Sequence, residues 1–182
     1  MISLDLHILD IVHNSVSANS SRIEISVTEE PATNNYLIEI TDNGKGIPPE
    51  ILPTITDPYT TTRKTRKVGL GLPLFKQNAE QTGGSMEILS QVNVGTKLKV
   101  LFRHSHIDRP AIGDIAGILV NLAAGFSHIR FIYTHTTQAG SYCFDTDEIA
   151  ETLDGISLNE PEIRTFLKDM INENLDEIKI SR

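Results

Sequence analysis

The stretch Thr41-Asp42-Asn43-Gly44-Lys45-Gly46-Ile47-Pro48 constrains this chain more than any other. It follows Tyr36-Leu37-Ile38-Glu39-Ile40, a short apolar run of strand type. A strand that ends in Asp-Asn-Gly-x-Gly turns sharply, because glycine alone takes positive φ cheaply. The turn leaves Asp42 at the strand's end, with its carboxylate open to an exocyclic amine. Gly44 and Gly46 let a flat base approach the backbone. The same residues also read as a plain hairpin signal, so the rest of the chain decides between the two.

Before the turn, residues 3–18 carry Leu4, Ile8, Ile11, Val12 and Ser15 at helical spacing. Ser3, His7, Asp10, Asn14 and Ser17 recur on the other side as a polar stripe. Within it Asp10 and Asn14 stand one turn apart. Asn14 offers an amide oxygen suited to a magnesium ion, and Asp10 a carboxylate to orient a water. A wet helix surface is the bland alternative. Arg22 to Thr28 alternates as a half-buried strand, residues 29–35 form a turn, and Tyr36 to Thr41 returns. Pro48-Pro49-Glu50-Ile51-Leu52 reads as a short helix with proline in its first turn.

Residues 58–67 are a polar loop in which Arg63, Lys64, Arg66 and Lys67 crowd together. An anion nearby would relieve that repulsion; solvent does so less specifically. Gly69-Leu70-Gly71-Leu72-Pro73 then runs into a helix ending near Thr82. Glycines at a helix N-terminus leave backbone N–H groups free for an anion. Gly83-Gly84 stops that helix, and Ser85 to Ser90 with Thr96 to Arg103 make a second hairpin through Asn93-Val94-Gly95. Leu98, Val100 and Phe102 face inward, and Thr96 stands at the strand's start.

These pieces together resemble the GHKL superfamily of gyrase, the heat-shock chaperone, histidine kinases and MutL, over roughly residues 3 to 103. Asp10-Ile11-Val12-His13-Asn14 is similar to its asparagine box, Asp42 to Ile47 to the first glycine box, and Gly69-Leu70-Gly71-Leu72 to the second. Pro58-Tyr59-Thr60-Thr61 resembles the opening of a histidine-kinase ATP lid, and Gly95-Thr96 the closing Gly-Thr pair. The resemblance implies the Bergerat fold, an α+β sandwich of a mixed sheet layered against helices, with ATP under a lid. It implies that Asp42 holds the adenine amine with support from Thr96, and that Gly44 and Gly46 admit the base. It implies too that Asn14 coordinates Mg2+, that Gly69, Leu70 and Gly71 meet the phosphates, and that Lys64, or else Arg63, Arg66 or Lys67, touches the γ-phosphate. Hydrolysing members place glutamate where this chain has Asp10, one methylene shorter.

The hydrophobic fraction of 39% suits a globular chain, and no run reaches the length of a membrane span. The single cysteine, Cys143, rules out an internal disulfide framework and makes a reducing cytoplasm the default. Of the net charge of −8, residues 145–182 hold −7, with no basic face for nucleic acid. Residues 1–104 therefore form the expected ATP-binding domain, and 105–182 a small α+β appendage. That appendage holds an apolar helix Asp114 to Ala124, strands His128 to Tyr133 and Ser141 to Phe144, and an amphipathic helix Ile163 to Leu175.

The short lid and the start of the chain at its first helix favour a stand-alone domain of histidine-kinase type. Such a domain transfers phosphate to, or regulates, a separate protein. A non-catalytic ATP-dependent switch and a slow ATPase, the latter dimerising through the C-terminal region as a homodimer, are the alternatives.

Overall fold

The computed structural model describes residues 3–56 and 71–181. The basic loop, and with it Lys64, Gly69 and Leu70, lies outside the described residues.

Helix α1 (Leu4–Ser17) buries Leu4, Ile8, Ile11, Val12 and Ser15, the face its 3.6-residue spacing dictates. Strands β1 (Arg22–Glu30) and β2 (Asn35–Asp42) form the first hairpin, with Ile25 opposite Ile40. Helix α2 (Gly71–Gln81) then leads to β3 (Ser85–Gln91) and β4 (Gly95–Arg103). Helix α3 (Ile115–Gly125) precedes β5 (Arg130–Thr137) and β6 (Gly140–Asp145), and helices α4 (Thr146–Leu153) and α5 (Pro161–Glu177) complete the order.

The six strands make one mixed sheet in the order β3-β4-β2-β1-β5-β6. Its middle strand β1 pairs antiparallel with β2 and parallel with β5, with Ile25 facing Tyr133 across the parallel seam. Residues 105–182 thus extend the sheet that residues 1–104 begin. One continuous core runs from Leu4 and Ile8 through Ile25, Val100 and Phe131 to Leu167 and Leu175. The helix α3 is apolar almost all round, as a helix packed between a sheet and another helix must be. Asp114 caps it by accepting from the Gly117 N–H and also pairs with Lys168 of α5 at 2.6 Å. The opposite face of the sheet carries Arg22, Glu24, Glu39 and Lys97, as expected of a face left to water.

Two local expectations change. The helix expected over 48–52 is instead a turn followed by a 3-10 helix, Leu52–Thr54. Pro48, Pro49 and Pro53 remove backbone donors too often for α-helical bonding to propagate. The turn expected from residue 29 begins later, because β1 extends to Glu30.

Glu29 explains that extension. Its side chain is buried and accepts from His135 Nε2 at 2.8 Å, His104 Nε2 at 3.1 Å, and the Ser181 amide and hydroxyl at 2.9 and 2.5 Å. Tyr133 bonds the far side of His135 at 2.7 Å, and Arg109 lies over the Tyr36 ring while bonding Ser181. Burial pushes the Glu29 carboxyl up, but the bonds from His135, Ser181 and His104 outweigh it and hold the pKa at about 2. The end of the chain is therefore fastened to the middle strand by one carboxylate.

Because the folded pKa lies below the ordinary value of 4.5, the stabilisation is complete above that value and is lost as pH falls toward 2. Glu29→Gln is expected to lower unfolding free energy at neutral pH by about 3 kcal/mol. Urea denaturation across the acid range should show the difference from wild type closing as Glu29 protonates.

Candidate functional site

Asp42 ends β2 on the face that packs under α1, since Tyr36, Ile38 and Ile40 of the same parity are buried. Three donors from the chain converge on its carboxylate: Ser15 Oγ on Oδ2 at 2.6 Å, the Gly44 N–H on Oδ1 at 2.8 Å, and Ser20 Oγ on Oδ1 at 3.2 Å, its one proton shared with the Ser15 carbonyl at 2.8 Å. A carboxylate has about four acceptor positions, so roughly one is left for a further donor. Beside it, Asn43 Oδ1 accepts from the Ser21 and Arg22 amides and pins the turn to the start of β1.

Thr96 stands opposite Asp42 in the β2–β4 register. Its hydroxyl lies 2.8 Å from Ser90 Oγ, which also accepts from the Ile47 N–H at 2.8 Å and donates to the Gly95 carbonyl at 2.9 Å. One serine thereby joins the glycine turn to the second hairpin. The glycines are required by this packing. A Cβ on Gly44 would lie 2.6 Å from Ser20 Oγ, and one on Gly46 would lie 2.1 Å from the Gln91 carbonyl oxygen, at a φ of +68°. Protein atoms, before any ligand, account for both.

The other half of the site is built by α1 and α2. His7, expected on the wet stripe, is 2% exposed. Its ring stacks on Phe75 at 4.7 Å and 4°, and its Nε2 lies 2.8 Å from Asn78 Nδ2. Burial lowers its pKa against the pull of Asp10 and Asp5, which keeps the imidazole neutral and able to accept at Nε2. One turn on, a Cβ placed on Gly71 would sit 3.2 Å from Asp10 Cβ. Contacts of His7 with Phe75 and Asn78, and of Asp10 with Gly71, mean that the two helices run antiparallel. Asn14, a further turn along α1, therefore projects past the N-terminal end of the described α2. Asp10 and Asn14 are both exposed, and Asn14 directly precedes the Ser15 that bonds Asp42.

A hollow of about 540 Å³ meets the same strand ends, with Asp42, Ser90 and Thr96 in its wall beside Leu52, Leu89 and Val94. Arg22, Glu24 and Lys97 place it toward the open face of the sheet, whereas Ser15 directs the Asp42 carboxylate toward α1. The helix-side arrangement, rather than the hollow, therefore organises the chemistry. Among the described residues no three His, Cys, Asp or Glu side chains group as a metal site. A magnesium ion at Asn14 would take its other ligands from phosphate and water, which suits that ion's chemistry.

Sequence reasoning brought Asp10, Asn14, Asp42, Gly44, Gly46, Gly71 and Thr96 to this region. It missed Ser20 and Ser90, and it read Ser15 only as part of the buried face. A hydroxyl on an otherwise apolar helix face was the one available signal.

Residues 2–106 match the family described as histidine kinase-, DNA gyrase B-, and HSP90-like ATPase. The chain belongs to that family. Sensor histidine kinase ZraS of Escherichia coli K12 is 36% identical over 89 residues, 49% of this chain and 19% of its own length. Sensor histidine kinase YvrG of Bacillus subtilis 168 is 30% identical over 98 residues, 52% of this chain and 17% of its own length. The chain thus spans about a fifth of these relatives. Among solved structures, the N-terminal domain of a DNA repair protein superposes with a TM-score of 0.57 at 18% identity, covering 79% of this chain and 52% of that one. The Aquifex aeolicus MutL ATPase domain complexed with ADP gives 0.50 at 14% identity, covering 90% and 67%. The fold of this family, a mixed sheet under a layer of helices, is the fold described above. Among the described residues no helix is long and apolar enough to cross a membrane.

Gly46→Ala places a methyl group against the Gln91 carbonyl at a left-handed φ. It is expected to destabilise the fold by about 3 kcal/mol. Thermal denaturation of the two proteins side by side checks it.

Proposed function

We propose that this chain binds Mg-ATP and uses it as a protein kinase of histidine or serine type acting on a separate protein. The observation that carries the reading is the acceptor position left on Asp42 once Ser15, Ser20 and Gly44 are satisfied. An adenine amine is the donor that fits at a strand end opposite Thr96. Membership of an ATPase family supports the same ligand.

Bound in that orientation, the nucleotide directs its phosphates between Asn14 and the N-terminal end of α2. Asn14 would hold the metal, which supplies neutralisation of phosphate charge, and the backbone amides of Gly69, Leu70 and Gly71 with the Lys64 ammonium would share the remaining charge. Phosphoryl transfer asks for positioning and electrostatic stabilisation more than for covalent chemistry from the protein. Asp10 orients the acceptor hydroxyl or imidazole. Its side chain is a methylene shorter than glutamate, and α2 packs so near it that a Cβ on Gly71 would sit 3.2 Å from its own, so water is the poorer acceptor.

Calorimetric titration with a non-hydrolysable ATP analogue, with and without magnesium, tests the site. Asp42→Asn should weaken binding by at least about tenfold, since an amide offers one acceptor oxygen where two are in use. Asn14→Ala should abolish the magnesium dependence. Unchanged affinity in the Asp42 variant would overturn the assignment. Labelled γ-phosphate recovered on a second protein from cells that make this chain marks the kinase. Nucleotide-dependent binding of that protein without label marks the switch instead.

A further inference from the structure

His7 is a buried titratable group that nucleotide binding, as assigned above, does not use. Three observations give it a task. Its imidazole stacks flat on Phe75, one turn into α2, at 4.7 Å and 4°. Its Nε2 lies 2.8 Å from the Asn78 amide, one turn further on. Asp10, the next residue on the same stripe of α1, touches the α2 start so closely that a Cβ on Gly71 would sit 3.2 Å from its own. Asn14 completes the stripe. His7 thus faces Phe75 and Asn78 while Asp10 faces Gly71, an antiparallel two-helix register in which His7 and Asn78 share a side-chain hydrogen bond.

We propose that His7 is a positioning residue for the phosphate end of the nucleotide. It locks α2 against α1, and that lock fixes the distance between the Asn14 amide and the N-terminal amides of α2. The inference rests on the Mg-ATP reading and deepens it. The base is held elsewhere, by Asp42 on the end of β2 and Thr96 on β4, both fixed through Ser15, Ser20 and Ser90 rather than through α2. Slippage of α2 should therefore be felt by the phosphates and ignored by adenine. A neutral ring is needed for the Nε2 acceptor, and the half-buried Asn78 amide loses its partner on α1 when that acceptor is removed, at a cost in register. Misplacement of a phosphate-binding helix by a fraction of its pitch weakens charge-assisted contacts that depend on aligned amides.

The experiment compares two ligands, Mg-AMP-PNP and adenosine, on wild type, His7→Phe, His7→Gln and Asn78→Ala, with thermal denaturation of each protein. His7→Phe keeps a flat ring on Phe75 and removes the acceptor. His7→Phe and Asn78→Ala are expected to weaken Mg-AMP-PNP about tenfold and leave adenosine unchanged. His7→Gln, whose amide oxygen can accept from Asn78, should recover most of the loss. Parallel weakening of both ligands in the folded variants would mean a structural role only and overturn the inference. Unchanged binding of both would do the same while leaving the nucleotide reading intact. Wild type that binds neither ligand would defeat that reading and this inference together.

Discussion

A carboxylate at the end of a half-buried strand has to be supplied with donors, and the way Asp42 is supplied organises this protein. Ser15 reaches it from α1, Ser20 from the loop after α1, and Gly44 from the turn it begins. Those bonds tie α1, the loop after it and the turn after β2 to one point. They also consume most of the carboxylate's accepting capacity in a fixed direction, so that the remaining position is aimed rather than merely available. Preorganisation of this kind costs nothing further when a ligand arrives, which is the usual basis of discrimination at a polar site.

The middle strand carries two such points at opposite ends. Near its start, Asn43 pins the glycine turn to Ser21 and Arg22. At its far end, Glu29 gathers His104, His135 and Ser181 and so fastens the last residues to the sheet. Both accept from distant segments, Asn43 at the surface and Glu29 in the interior, and for the buried carboxylate that is the condition under which a polar group specifies a structure instead of weakening it. The helix layer is registered similarly by His7 and Asn78.

Much of this was legible in the sequence because it is local. The spacing of Leu4, Ile8, Ile11 and Val12 located α1, the alternation from Arg22 located β1, the Asn93-Val94-Gly95 turn located the second hairpin, and the glycine-rich turn after β2 located Asp42. What was not legible depends on pairs far apart in the chain. Glu29 looked like the first turn residue because its partners His104, His135 and Ser181 lie 75 to 152 residues away. His7 looked like one more polar residue on a wet stripe because Phe75 and Asn78, which bury it, are separated from it by a whole domain's worth of chain. The parallel pairing of β1 with β5 has no local signature either. Pro48, Pro49 and Pro53 did carry the information that a helix could not form there, although proline also suits a helix's first turn and so points both ways.

The central claim is that Asp42 reads the amino group of adenine. Calorimetric titration of ATP against inosine triphosphate, both with magnesium, tests that group, since the two ligands differ at purine C6, an amine in one and a carbonyl with its accompanying N1 proton in the other. The account predicts that ATP binds tighter by on the order of tenfold or more, because the carbonyl cannot donate and would face the carboxylate unpaired. Equal affinities would contradict it.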